Sequence, residues 1–131
     1  MPLDMTLDAE RRIVRATIGF PITFSDIRAH VETMRRTGYW VYPELVDARD
    51  IGRVDFSARD MLSLSHFVRE RLGERPVAPC AVVVNSPRSF MLGRVFASLV
   101  AGWIRMGIFE DLAAAEDWLA AQREETTATP A

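Results

Sequence analysis

The chain has 131 residues, of which 49% are apolar and 26% are charged, and its formal net charge is −2. This length and apolar fraction suit one compact domain with a hydrophobic core, and they exclude a disordered or collagen-like chain. The 16 basic residues are all arginine and are spread along the chain instead of forming a stripe, which argues against a nucleic-acid-binding protein.

The ends and apolar runs of the sequence indicate a cytoplasmic protein. The first ten residues, MPLDMTLDAE, are acidic and lack the apolar core of a signal peptide. The longest apolar stretch, FMLGRVFASLVAGWI, is too short to span a bilayer and contains Arg94. The single cysteine, Cys80, cannot form an internal disulfide. We expect no transmembrane segment, and nothing in the sequence indicates a cofactor.

The first half of the chain predicts a hairpin, a helix and a strand. Apolar residues alternate with polar ones on both sides of a polar turn in DMTLDAERRIVRATIG, which is typical of two antiparallel strands. Thr23 and Asp26 have the spacing of a capping box, and the helix that they begin is expected to end at Gly38. A short strand that ends at Asp47 follows.

The second half predicts a helix in SARDMLSLSHFVRERL, a fully buried strand in APCAVVVN and a nearly all-apolar helix in RSFMLGRVFASLVAGW. A short strand in RMGIFED and a last helix in DLAAAEDWLAAQRE follow. The order ββαβαβαβα predicts an α/β fold with a mixed sheet of four to five strands and crossover helices. We expect residues 1–122 to form a single domain and residues 123–131 to form a disordered tail.

This order of elements, together with the segments ELVDAR, AVVV and IFEDLAAAEDWLA, resembles the small bacterial STAS-like proteins. Their fold is that of sulfate-transporter tails and of sporulation anti-sigma-factor antagonists. More narrowly, the chain resembles an uncharacterised branch that is grouped with STAS and with CRAL-TRIO lipid-binding domains. The resemblance covers roughly residues 3–121.

The resemblance gives Ser57 a regulatory interpretation. In the antagonists, a serine at the start of a helix is phosphorylated by a partner kinase. The segment VDFSARDML places Ser57 on that serine and Asp55 on a family aspartate, while Phe56 and Ala58 replace a family serine and glycine. Ser57 is also followed three residues later by Asp60, and a helix cap alone explains a serine at this position. Phosphorylation and capping both remain open.

No catalytic or metal site is predicted. A nucleophilic Ser57 would need a neighbouring base, and the two histidines of the chain are His30 and His66. His66 is nine residues further along the same predicted helix, about 13 Å away along its axis. Neither histidine has two further metal ligands at a recognisable spacing, and there is no phosphate-binding glycine loop.

Polar residues follow two of the predicted strands: Asp47, Arg49, Asn85, Ser86 and Arg88. Ligands of open α/β sheets bind beyond the carboxyl ends of the strands, so we predict a ligand or partner edge there. The alternative is that these residues only form turns, which favour Asp and Asn.

The third helix carries more apolar residues than one face of a sheet requires, because between Phe90 and Trp103 only Arg94 is charged. We predict that some of its apolar residues, among them Phe90, Val95, Phe96 and Leu99, pack against a second copy. The sequence therefore predicts a non-enzymatic domain that acts through protein–protein interaction, with an unidentified protein partner and as a homodimer. The alternative is a lipid or small apolar ligand bound in a cavity under this helix.

Overall fold

The computed structural model describes residues 3–52 and 55–128, with side chains as far as Arg123. In this part of the chain five strands form one sheet: β1 (Leu3–Asp8), β2 (Ile13–Gly19), β3 (Glu44–Asp50), β4 (Cys80–Val83) and β5 (Met106–Phe109). The helices are α1 (Phe24–Thr37), α2 (Ala58–Leu72), α3 (Pro87–Val100) and α4 (Leu112–Ala128), and a short 3-10 turn (Tyr39–Val41) follows α1.

The strands lie in the order β1-β2-β3-β4-β5. β1 and β2 form an antiparallel hairpin, and β2 to β5 run parallel to one another. The predicted order of elements and the mixed α/β sheet are confirmed. β4 lies inside the sheet between β3 and β5, and the side chains of Ala81 and Val83 are fully buried, as its unbroken apolar run predicts.

Local signals set the helix ends. The Thr23 hydroxyl accepts a hydrogen bond from the Asp26 N–H at 3.1 Å, and the Thr23 N–H donates to the Asp26 carboxylate, so α1 begins with a capping box. It ends at Gly38, whose φ of 75° lies in the left-handed region that favours glycine. α3 begins with Pro87 after Ser86, whose hydroxyl accepts from the Ser89 N–H at 3.0 Å.

α4 extends beyond the predicted domain boundary at residue 122. It continues to Ala128, because the segment AAQREE consists of good helix formers. Residues 123–128 of the predicted tail are thus helical in backbone, and residues 129–131 lie outside the described part of the chain.

The two faces of the sheet have different covers. Side chains alternate along each strand, so Leu45, Ala81 and Val83 point to one face and pack against Ala115 and Leu119 of α4. We call this the α4 face. The opposite side chains, including Val46, Cys80, Val82, Met106 and Ile108, point toward α1, α2 and α3. We call this the three-helix face, and the candidate site lies on it.

Candidate functional site

A cavity with a volume of about 230 Å³ lies between the three-helix face and the helices above it. α1 packs on α2 and on β1, and α3 packs on α2 and on β5, so α2 spans the space between two supported helices. At Gly93 the backbone of α3 comes so close to β5 that an added Cβ would lie 3.1 Å from the Ile108 side chain. All three helices line the cavity, and α3 closes its β5 side.

The lining is almost entirely apolar. The sheet contributes residues of alternate positions, and each of the three helices contributes its inward stripe, including Ile27, Val31, Met34, Met61, Leu64, Val68, Leu92 and Phe96. Along β3 the lining runs from Glu44 to Ala48, and these four steps of about 3.3 Å each give the cavity a length of about 13 Å. A cavity of this kind, apolar with a few polar groups, is typical of small-molecule sites.

Phe56 and Ile51 close the cavity at the carboxyl end of the strands. The ring of Phe56 meets the ring of Phe24 edge to face, with centroids 6.0 Å apart. Its carbonyl oxygen accepts a hydrogen bond from Arg88 Nη2 at 3.0 Å. The resemblance in sequence aligns Phe56 with a serine of the antagonist pattern, and in the structure Phe56 forms part of the cavity wall.

Three polar side chains line the opposite end. His30 of α1 and Glu44 of β3 form a pair in which Nε2 and Oε2 are 2.7 Å apart, and both side chains are only 13% exposed. Cys80 of β4 donates from Sγ to Glu44 Oε1 at 3.6 Å. Burial raises the pKa of the Cys80 thiol well above its usual value, and the nearby Glu44 charge raises it further. The thiol is therefore protonated and acts as a donor.

Sequence reasoning missed this polar group. The sequence places the carboxylate of Glu32 two residues from His30, whereas the structure pairs His30 with Glu44, fourteen residues away. Glu32 instead forms ion pairs with Arg35 and Arg71, which lower its pKa. The sequence feature that could have revealed this polar group is Glu44, a charged residue at an inward-facing position of a buried strand.

Ser57 is the N-cap of α2. Its hydroxyl accepts from the Asp60 N–H at 3.1 Å, and its own N–H donates to the Asp60 carboxylate at 2.8 Å. This is the capping box that the spacing predicts. Phosphorylation of Ser57 stays a prediction.

The residues of the predicted ligand or partner edge have contacts within the chain. Arg49 binds the Asp47 carboxylate through Nε and Nη2 at 2.9 and 2.8 Å, and this pairing lowers the pKa of Asp47. Ser86 caps α3, and Arg88 binds the Phe56 carbonyl, which connects α3 with the start of α2. Asn85 is exposed. A ligand at this edge remains a prediction.

The four residues of the predicted dimer interface are each partly buried by their own chain. Val95, Phe96 and Leu99 pack against the buried pair Met61 and Leu92. The Phe90 ring lies under the Arg94 guanidinium, 5.7 Å from it. Much of the apolar surface of α3 is thus buried against α2, β5 and the cavity. The large apolar side chain of this helix that stays exposed is Met91, with an exposed fraction of 49%.

The remaining candidates for chemistry are few. His66 is exposed on α2. Among the described side chains, those of residues 3–52 and 55–123, no three His, Cys, Asp or Glu are grouped so that they could hold a metal ion. In the same ranges no helix is long and apolar enough to cross a membrane.

No family model matches the chain, and no curated protein sequence matches it. A solved structure is similar to it: an uncharacterized protein from the DUF3478 family with a SpoIIAA-like fold, from Shewanella loihica PV-4. The TM-score is 0.56, and the match covers 89% of this chain and 93% of that one. At 16% identity the likeness concerns the fold. The chain thus has a SpoIIAA-like, STAS-like fold, as its resemblance to that group predicted.

Proposed function

We propose that this chain is a binding module for a small apolar molecule, which occupies the cavity under α1, α2 and α3. The cavity itself is the observation that carries the proposal. An apolar cavity of about 150 Å³ is large enough to bind benzene, and this one measures about 230 Å³. By proportion it accepts a ligand of roughly nine non-hydrogen atoms.

Energetics supports a ligand in this cavity. An unfilled cavity costs about 24 cal/mol per Å³, so 230 Å³ would cost roughly 5 kcal/mol. This is comparable with the whole free energy of unfolding of many small domains. A ligand that fills the cavity recovers part of that cost through dispersion contacts and through removal of its own apolar surface from water.

The proposed role is binding without catalysis. The polar groups at the end of the cavity bind one another: both Glu44 oxygens accept hydrogen bonds, one from His30 and one from Cys80. A buried thiol with a raised pKa is a poor nucleophile. Cys80 also suits a reducing compartment, and we propose the cytoplasm as the location of the protein.

A neutral fluorescent probe tests the proposal. Naphthalene is a fluorescent hydrocarbon of ten non-hydrogen atoms, close to the size that the cavity accepts, and we expect saturable binding with a stoichiometry of one by isothermal titration calorimetry. Val82→Phe places a ring in the cavity, because Val82 lies on the three-helix face of β4. The variant should lower probe affinity at least tenfold.

Val41→Phe is the matched control, because Val41 is 66% exposed in the 3-10 turn and is not part of the cavity lining. It should bind the probe as the wild type does. A wild-type protein that does not bind the probe, or a Val82→Phe variant with unchanged affinity, would contradict the proposal.

Protein–protein interaction is a second candidate function, and a specific observation favours it. Leu62 and Met91, in the first two turns of α2 and α3, are 44% and 49% exposed, and Phe20 after β2 is 67% exposed. Isolated exposed apolar residues are common, but three of them at helix and strand ends near the Ser57 segment suit a docking surface. We propose that a second copy of the chain docks there.

Sedimentation velocity at tens of micromolar tests the second candidate. The wild type should be a dimer, and a Leu62→Ser, Met91→Ser double variant should be a monomer, while Val41→Ser stays a dimer. A monomeric wild type would contradict this proposal and would leave the cavity proposal unaffected.

A further inference from the structure

The polar end of the cavity identifies the class of ligand, provided that the proposed binding function holds. His30, Glu44 and Cys80 come from α1, β3 and β4, and they are brought together where the apolar lining ends. A purely hydrocarbon ligand has no use for such a group. The arrangement of its hydrogen bonds shows which atom is left for a ligand.

Each oxygen of Glu44 accepts a hydrogen bond from a neighbouring side chain. A carboxylate only accepts hydrogen bonds, so His30 must carry a proton on Nε2, which is 2.7 Å from Glu44 Oε2. Cys80 donates to the other oxygen. Among the described residues nothing pairs with His30 Nδ1, the second ring nitrogen of a side chain that lines the cavity. At Nδ1 a ligand can hydrogen-bond without competing with either contact of Glu44.

The charge of Glu44 selects among ligand heads. In a low-dielectric cavity, a second carboxylate or a phosphate close to Glu44 is strongly repelled. A hydroxyl group both donates and accepts, so it pairs with Nδ1 whether the imidazole is neutral or protonated. An ammonium head only donates, so it pairs with Nδ1 only when the imidazole is neutral, and moving its charge from water into an apolar cavity costs free energy that an uncharged hydroxyl does not lose. A hydrocarbon leaves Nδ1 without a partner.

We infer that the ligand is an uncharged apolar molecule with a single hydroxyl group, and that this hydroxyl hydrogen-bonds to His30 Nδ1 while the apolar part lies along the sheet toward Phe56. The length of about 13 Å and the volume of 230 Å³ suit a chain of about eight carbons. 1-Octanol has the expected size and head.

Displacement of naphthalene by four molecules of equal chain length tests the inference: 1-octanol, n-octane, octanoate and octylammonium. At pH 7.5 1-octanol should displace the probe at a concentration at least tenfold lower than each of the other three. If the three other probes match 1-octanol, the inference is wrong and the binding function stands. If the fluorescent probe itself does not bind, the binding function is wrong.

Two variants test the role of each residue. His30→Phe keeps a ring of similar size but removes Nδ1, so it should bind 1-octanol and n-octane equally while still binding the fluorescent probe. Glu44→Gln removes the charge and should raise the affinity for octanoate at least fivefold. The matched controls are His66→Phe and Glu70→Gln, because both residues are exposed on α2. Unchanged selectivity in His30→Phe would overturn the inference.

Discussion

The two faces of the sheet are both apolar, yet one is packed and the other encloses a cavity. On the α4 face, Ala81 and Ala115 are fully buried, and an added Cβ at Gly107 would lie 2.7 Å from the Phe109 ring. Small residues on both sides let α4 lie directly on β3, β4 and β5. On the three-helix face, α2 rests on α1 and α3 more than on the strands.

The difference shows how a fold of this size combines stability with binding. A single helix with small side chains can follow the sheet closely, so its face is filled by the chain itself. Three helices that pack on one another hold the middle helix away from the strands, and the space beneath it is left for another molecule. Substitutions of equal chemistry on the two faces should therefore have unequal effects.

The largest difference is expected for leucine truncation. Leu119→Ala should lower the free energy of unfolding by about 4 kcal/mol, because Leu119 is buried between α4 and the sheet and its removal leaves a new void. Leu64→Ala, on the cavity wall, should cost only about 2 kcal/mol, because this side chain already borders empty space. Urea unfolding of both variants measures the two values, and equal losses would show that the faces are packed alike.

Enlarging an alanine should change the free energy of unfolding by less than leucine truncation does, and the change should differ in sign between the two faces. Ala81→Val crowds the contact with Ala115 and Leu119 and should destabilise by about 2 kcal/mol. Ala48→Val projects into the cavity and should be neutral or stabilising by about 0.5 kcal/mol. Thermal unfolding of the ligand-free protein compares them. Destabilisation by Ala48→Val as large as that by Ala81→Val would contradict the cavity.

The cap of α2 should contribute stability on the three-helix face without affecting the cavity. Ser57→Ala removes the acceptor of the Asp60 N–H and should cost about 1 kcal/mol, whereas Ser57→Asp keeps a good cap and should be nearly neutral. Probe binding should not change in either variant. Ser63→Ala, at an exposed position inside α2, is the control and should be neutral or slightly stabilising.

The same pair of variants separates the cap from a phosphorylation switch. If Ser57→Asp loses a dimer or a protein partner that Ser57→Ala retains, capping is not the whole role of this serine. Sedimentation velocity of the two variants gives the answer for the dimer.

The smallest effect is expected at Asp47, whose pKa is lowered from its ordinary value of 3.8 mainly by hydrogen bonds from Arg49. A lowered pKa in the folded state stabilises the fold above the ordinary value, and this contribution is lost as the pH falls below 3.8. The pair is partly exposed, so the contribution should be below about 1 kcal/mol. Asp47→Asn should reduce the acid sensitivity of unfolding between about pH 4 and pH 2, and Asp4→Asn should not. Equal acid sensitivity in wild type and Asp47→Asn would exclude the pair as its source.

Much of the fold could be predicted because its signals are local. The capping boxes at Thr23 and Ser57 and the stop at Gly38 need only a few neighbouring residues. The unbroken apolar run of β4 predicts burial on both faces, and alternation predicts the hairpin. The contacts at the predicted ligand or partner edge were harder to predict from the sequence. Those of Asp47 with Arg49 and of Arg88 with Phe56 depend on where loops meet.

The candidate site could not be predicted in the same way. The apolar excess of α3 was visible, and it predicted either a second copy or a cavity. Its residues Ser89, Leu92, Gly93 and Phe96 line the cavity, and α1 and α2 line the rest of its helical side. The pairing of His30 with Glu44 joins a helix to a strand fourteen residues away, and neither residue belongs to a motif.

The sequence by itself determined the order of elements, the ends of the helices and the mixed sheet, because hydrophobic periodicity and capping act over a few residues. Only the tertiary structure decided that one face is filled and the other is open. That outcome depends on how far each helix lies from the strands, which is set by side-chain volumes across the contact, such as the absence of a side chain at Gly93 and Gly107. It also decided that His30, Glu44 and Cys80 meet, since their contact exists only once α1 is packed over β3 and β4.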